Sequence, residues 1–242
     1  MGLFTRLFSQ ERGRVNLDET FQRRTEKYGY NTVPAAGVYS SLEETVNPSS
    51  LGFTVIKEGL FAAQVSDEIF HVIKLAAGKG GVYAFRWGVS LGYVPHEWKD
   101  KCKFHRTIKT VRFDLFEHPS DFLVKDPYSA EGGQYMVDTL HGEVCVRHDL
   151  TRAWCNLKPV IQDWFALCSS LEGVLRKSAE HVNHTWPSFR HFPDPKLVYA
   201  FTLARLGKLS DGASALEELV KSDGETYASN ELRNALQRIA KV

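Results

Sequence analysis

Residues 78–94 read GKGGVYAFRWGVSLGYV, and the pattern in this stretch sets the architecture. From Tyr83 the odd positions are Tyr83, Phe85, Trp87, Val89, Leu91 and Tyr93, while the even ones from Val82 are Val82, Ala84, Arg86, Gly88, Ser90 and Gly92. A period of two with every bulky group on one side marks a strand that lays one face on a core. Upstream, Ile69–Ala76 forms the preceding strand. If Ile69, Ile73 and Leu75 share a face with Phe85, Trp87 and Val89, then Ile73 pairs with Trp87 and Leu75 with Phe85. That pairing leaves Lys79-Gly80-Gly81 as a three-residue hairpin loop, a type that places glycine in the left-handed region, so Gly80 or Gly81 is expected at positive φ. A loop of two or four residues would put Arg86 opposite Ile73 and Lys74 opposite Phe85. The same register sets Lys74 directly across from Arg86.

Working outward, Phe53–Ile56 and Gly59–Val65 read as strands before the hairpin. Ile108–Glu117 resumes alternation after it, with Val111, Phe113 and Leu115 on one side and Thr110, Arg112 and Asp114 on the other. Sequential strands with short connections predict an antiparallel meander with one apolar face. Residues 16–28 predict a helix, with Asn16 or Asp18 as cap and Gly29 as stop. A short helix at 40–46 follows within a Pro- and Ser-rich stretch. Gln134–Leu140 and Glu143–Val146 suggest a further hairpin around His141-Gly142. From Pro159 to about Lys177, Val160, Ile161, Trp164, Phe165, Cys168, Leu171, Val174 and Leu175 follow helical spacing, and this helix is the natural cover for the aromatic face.

The prolines at 187, 193 and 195 mark a boundary, beyond which helices are expected at 196–206, 212–221 and 225–240. Ala200-x3-Ala204-Arg205-Leu206-Gly207 followed by Ala213-x-Ala215-Leu216-x2-Leu219 resembles a single tetratricopeptide-type helical hairpin. One such unit cannot bury a solenoid core alone, so the tail is expected to pack on the main domain or on a partner. The expected organisation is an α+β domain over residues 1–190 and a helical tail over 193–242.

Composition narrows the function classes. The 242 residues carry 30 Lys and Arg against 29 Asp and Glu, a net charge of +1, which excludes a chain whose whole surface attracts nucleic acid. There is no run of 18 apolar residues, so no transmembrane helix and no membrane partner are expected. The segment MGLFTRLFSQERGR has no apolar region of secretory length, and Arg6 stands where a myristoylation signal has Ser or Thr. Cys102, Cys145, Cys155 and Cys168 are widely spaced with no CxxC, which points to reduced thiols in a cytoplasmic protein.

Three groups of residues carry candidate chemistry. GKGG looks like part of a phosphate loop, but it is followed by a strand and lacks a Lys-Ser/Thr pair, so it reads as a turn. The run Lys99, Lys101, Lys103, His105, Arg106, Lys109 and Arg112, interleaved with Trp98 and Phe104, has the residue types that hold phosphates while stacking bases. Its plainer reading, a solvated loop beside an edge strand, stands ahead of that. His181 and His184 are spaced i, i+3 near His191 and Asp194, but without HExxH or HxH a metal site is weakly indicated, and no cofactor is expected. No GxSxG or other nucleophile motif is present, so a non-enzyme is favoured. The like-charged pair Lys74 and Arg86, with Arg112 on a polar face, is unfavourable unless an anion lies between, and Asp114 is one internal candidate.

The order "LGFTVIKEGLF", "IFHVIKLAAGKGGVYAFRWGVSLGYVP" and then an aromatic-rich helix resembles a bacterial family of uncharacterised α+β domains over roughly residues 50 to 180. The resemblance implies a fold and a bacterial cytosolic setting, with no reaction and no transferable site residues. The leading expectation is a non-catalytic binding or adaptor protein, of the kind that immunity or accessory proteins represent, with a protein partner that is acidic. The alternative is nucleic-acid or phosphate-ligand binding through residues 98–112. An enzyme using His181, His184 and His191 with a metal comes third.

Overall fold

The computed structural model describes residues 17–78, 80–98, 101–104, 107–119, 133–184, 193–223 and 229–240. Within them lie strands β1 (Thr54–Lys57), β2 (Leu60–Gln64), β3 (Ile69–Ala77), β4 (Val82–Leu91), β5 (His96–Trp98), β6 (Lys101–Lys103), β7 (Leu115–Glu117) and β8 (Met136–Asp138). The helices are α1 (Leu17–Tyr28), α2 (Ala35–Val46), α3 (Gly142–Leu167), α4 (Leu171–Val182), α5 (Pro195–Arg205), α6 (Leu209–Asp223) and α7 (Ser229–Ile239). The fold is α+β, as the alternation predicts.

The hairpin register is the expected one. Ile73 pairs with Trp87, Lys74 with Arg86 and Leu75 with Phe85, and Gly78 N–H donates to the Val82 carbonyl at 2.7 Å. That bond closes the turn between the two strands, and Gly80 and Gly81 within it both have φ +76°. β1 to β4 run as an antiparallel meander. The outer edge of β4 then takes two short strands end to end: β8 against Val82–Ala84 and β7 against Trp87–Val89. Arg86 lies at the junction between them.

The odd face carries the main core. Phe61, Leu75, Phe85, Trp87, Val89 and Leu115 are buried against Trp154, Leu157, Ile161 and Phe165 of α3. Full burial of a side chain such as Trp87 stabilises by about 3 kcal/mol or more. Val198, Phe201 and Ala204 of the tail belong to the same buried cluster. α5 and α6 approach closely because Gly212 abuts the backbone of Ala200 and Ala204, and Gly207 at φ +78° ends the first helix, as the small-residue pattern implied.

Four expectations need correction. Ile108–Glu117 is not one strand: residues 108–110 form a 3-10 turn, and only Leu115–Glu117 pairs with β4. Thr107 and Thr110 cap that turn reciprocally, so local hydrogen bonds outcompete the ladder. The sheet also has a second apolar patch, where Val111, Ile108 and Phe113 cover Leu60, Ala62, Phe70 and Val72 on the even face. The hairpin around His141-Gly142 does not form, because Met136–Asp138 joins β4 and Gly142 opens α3. The helix placed from Pro159 to Lys177 is two helices, with Pro159 inside the first. Only one hydrogen bond is forfeited there, at the carbonyl of exposed Cys155, while Ser170 accepts from Gly173 N–H to start the second.

Candidate functional site

The even face of the sheet bears a row of charge set by the register. Lys57 on β1 pairs with Leu60 on β2, Leu60 with Lys74 on β3, and Lys74 with Arg86 on β4. Extending the β4–β7 register by one pair beyond Trp87 and Glu117 brings His118 beside Arg86. The row thus reads Lys57, Leu60, Lys74, Arg86, His118, crossing the strands at right angles. Residues directly opposed on neighbouring strands have Cβ atoms about 5 Å apart, so the two cations are forced together.

The electrostatics bear this out. The Lys74 ammonium is held below its ordinary value, first by burial and then by the charges of Lys57 and Arg86. Burial, reinforced by Arg86, pushes His118 down to about 4, which leaves it neutral at pH 7. Among the described residues, no carboxylate forms an ion pair with Lys57, Lys74 or Arg86. The Arg86 guanidinium lies over the Phe116 ring, 5.7 Å from its centroid, and its buried Nε has no hydrogen-bond partner. Burying such a donor unpaired costs about 1–3 kcal/mol. The row therefore combines positive charge, a guanidinium set over an aromatic ring and, among the described residues, no carboxylate paired with either Lys74 or Arg86.

Arg112 does not belong to this row. Its Nε lies 3.3 Å from Oδ1 of buried Asp114, whose Oδ2 accepts from Leu91 N–H at 2.7 Å. Arg112 Nη2 donates to the Pro95 carbonyl and its N–H to Ser90 Oγ, so it locks the 107–114 segment onto β4. Ser90 is four residues from Arg86, about 13 Å along the strand.

The basic run at 98–112 is not gathered into one face by the described residues. Lys103 and Lys109 are exposed, on β6 and on the 3-10 turn respectively. The side chains of Trp98, Lys99 and Lys101, and all of His105 and Arg106, lie outside the described residues. Phe104 is turned inward, with its ring 6.4 Å from Phe201 and Arg238 over it at 5.8 Å, which takes it out of use for base stacking.

The histidines part company as well. His181 is buried on α4, and its Nε2 lies 3.3 Å from Glu117 Oε1, which Lys177 Nζ also approaches at 3.2 Å. Burial alone would raise the Glu117 carboxyl, but His181 and Lys177 hold it below its ordinary value. This charged knot ties α4 to β7. His191 lies outside the described residues, and among the described residues no group of three His, Cys, Asp or Glu is placed to hold a metal.

A second polar cluster, invisible to local pattern, clamps α1. Arg24 bonds Asp149 at 2.7 Å and Asp138 at 3.1 Å, Arg152 reaches Asp149 at 2.8 Å, and His141 links Asp138 through Nδ1 at 2.5 Å to Thr25 Oγ1 through Nε2 at 3.1 Å. The hydroxyl–imidazole–carboxylate order resembles a nucleophile relay. Thr25 Oγ1, however, donates to the Phe21 carbonyl of its own helix, so its proton is committed to the backbone and the chain of bonds acts as a clamp. Two buried thiols are held protonated: burial first among the causes pushes Cys145 up to about 11, and burial raises Cys168 further.

The reading of the sequence had Lys74 opposite Arg86 but missed Lys57, Phe116 and His118. Lys57 was not within reach: the register that pairs Val55 with Phe61 would set Ile56 opposite Leu60, and only an irregularity between Val55 and Lys57 brings Lys57 there. Phe116 and His118 were missed too, because the strand read over residues 108–117 stops short of His118, and Phe116 meets Arg86 only through the pairing of Leu115–Glu117 with β4.

Compared with protein-family models, curated proteins and solved structures, the chain matches no family model, no curated protein and no solved structure. No helix among the described residues is long and apolar enough to cross a membrane.

Proposed function

We propose that the chain is a non-catalytic binding protein, an adaptor or accessory protein of the bacterial cytoplasm, whose even sheet face receives acidic side chains of a protein partner at Lys74 and Arg86. The observation that carries the reading is the cross-strand pairing of Lys74 with Arg86, with no carboxylate ion-paired to either among the described residues. Like charges directly opposed destabilise a sheet, and a fold that keeps such a pair gains from it only when an anion bridges it. The absence of a disulfide among the four cysteines agrees with a reducing compartment. Nucleic-acid binding is the weaker reading, since Phe104 is packed inward and Arg112 is neutralised by Asp114.

The test is a titration of the whole ¹⁵N-labelled chain with hexaglutamate. Shifts are expected at Lys74, Arg86 and their neighbours, weakened by added salt and lost in Lys74→Glu. Shifts scattered over the surface, or unchanged in Lys74→Glu, would overturn the assignment.

A further inference from the structure

The two ends of the segment 21–33 are held by different kinds of contact. Among the described side chains of α1, those of residues 21–28, none is buried, and only Arg24, Thr25 and Tyr28 are half-buried. The ties of these residues to the body are mainly polar. Arg24 grips buried Asp149 with both arms of its fork, Nη1 on Oδ2 at 2.7 Å and Nη2 on Oδ1 at 3.3 Å, and reaches Asp138 at 3.1 Å. Thr25 meets His141 at 3.1 Å, and the exposed Phe21 ring stands edge-on to the same imidazole at 5.0 Å. Past Gly29 the chain is fixed by backbone and core. Asn31 N–H donates to the Leu140 carbonyl at 2.9 Å, Val33 N–H donates to the Thr139 carbonyl at 2.8 Å, and Val33 is buried in the main cluster. Gly29 joins the two halves at φ +76°, and nothing beyond its chain neighbours would lie within 4 Å of a Cβ placed there.

What α1 covers is a polar stripe. His141, at the start of α3, and then Cys145 and Asp149 follow at four-residue intervals, which sets them on one face of that helix. All three are buried, yet Cys145 belongs to neither apolar cluster; Arg24 Nη1 lies 3.5 Å from its Sγ. A segment with few buried apolar contacts opens locally at lower cost than the core around which the chain folds. We propose that α1 is a charge-held latch that swings out about Gly29 as a unit while the sheet and α3 stay folded, baring the stripe Asp138, His141, Cys145 and Asp149. This goes beyond the acidic-partner reading and does not depend on it. Opening breaks the Arg24 pairs and exposes little apolar surface, so it responds to the charge of Arg24 strongly and to denaturant weakly.

The experiment alkylates the full wild-type chain with N-ethylmaleimide at pH 7 and follows each cysteine by peptide mass spectrometry. Cys168, wholly buried in the main cluster, reports global unfolding, and Cys145 reports the latch. Cys145 is expected to react at least tenfold faster than Cys168. Its rate should stay nearly level up to about 1 M urea, while that of Cys168 climbs steeply. Arg24→Gln should speed Cys145 at least tenfold and leave Cys168 unchanged, which also establishes that the variant is folded. One shared rate and urea dependence for Cys145 and Cys168 in the wild type would overturn the latch. So would an Arg24→Gln chain in which Cys145 reacts no faster, or in which both cysteines speed up equally, since Arg24 would then hold the whole fold.

Discussion

If Lys74 and Arg86 repel each other in the free protein, reversing one charge should make the chain more stable even as it removes the site. Lys74→Glu is the informative change. In the wild type Lys74 faces Arg86 directly and feels Lys57 from the other side, and its depressed ammonium already registers both. A direct cross-strand charge pair is worth about 0.2–1 kcal/mol in either direction. Turning repulsion into attraction therefore swings stability by about 1 kcal/mol, with most of the effect from Arg86. For a chain of this size the urea m-value is about 3 kcal/mol/M, so the unfolding midpoint should rise by roughly 0.3 M. Salt gives the second readout. At 1 M the Debye length shrinks to about 3 Å, so the wild type should gain stability with NaCl, Lys74→Glu should lose it, and the two curves should converge. Lys74→Met, which keeps the apolar stem and removes the charge, should fall between them. A Lys74→Glu protein less stable than Lys74→Met at low salt would refute the reasoning, because it would mean that an acid already faces position 74.

Three further outcomes follow from the geometry. Gly88→Ala should destabilise by several kcal/mol, measured by urea unfolding, because an added Cβ would meet the Leu115 carbonyl and the Phe116 backbone of β7, which have no flexible end to yield. Stability should fall as pH drops from about 6.5 towards 4: burial pushes His71 down to about 4, so the unfolded chain binds its proton first. His71→Gln should flatten that slope in unfolding curves at pH 7 and pH 5, and an unchanged slope would remove His71 as the cause. Asp149→Asn leaves Arg24 and Arg152 without their shared carboxylate. It should cost about 3 kcal/mol and accelerate amide exchange across α1 (residues 21–28) well beyond that of α4, while uniform acceleration would deny α1 a separate latch.

The hairpin, its loop length and the Lys74–Arg86 pairing were legible from residues 69–93 alone. Each depends on contacts between residues near in the chain: a period of two, glycines able to take positive φ, and bulky groups that must share a face. The tail helices and the stop at Gly207 were legible for the same reason. What escaped the sequence rests on competition between distant segments. Residues 108–117 alternate like a strand, yet Thr107 and Thr110 cap a turn, Asp114 takes the Leu91 amide, and only three residues reach β4. The apolar positions around Pro159 mark a helical stripe, but its start at Gly142 depends on Met136–Asp138 being drawn into the sheet. The charged row divides along the same line. Period two alone put Lys74 across from Arg86. Folding added Lys57 from one edge of the sheet, set Phe116 beneath the guanidinium from the other, and withdrew Arg112 to Asp114. Local spacing controls what a strand presents, whereas the neighbours that assemble around it follow from which distant segments pair and pack.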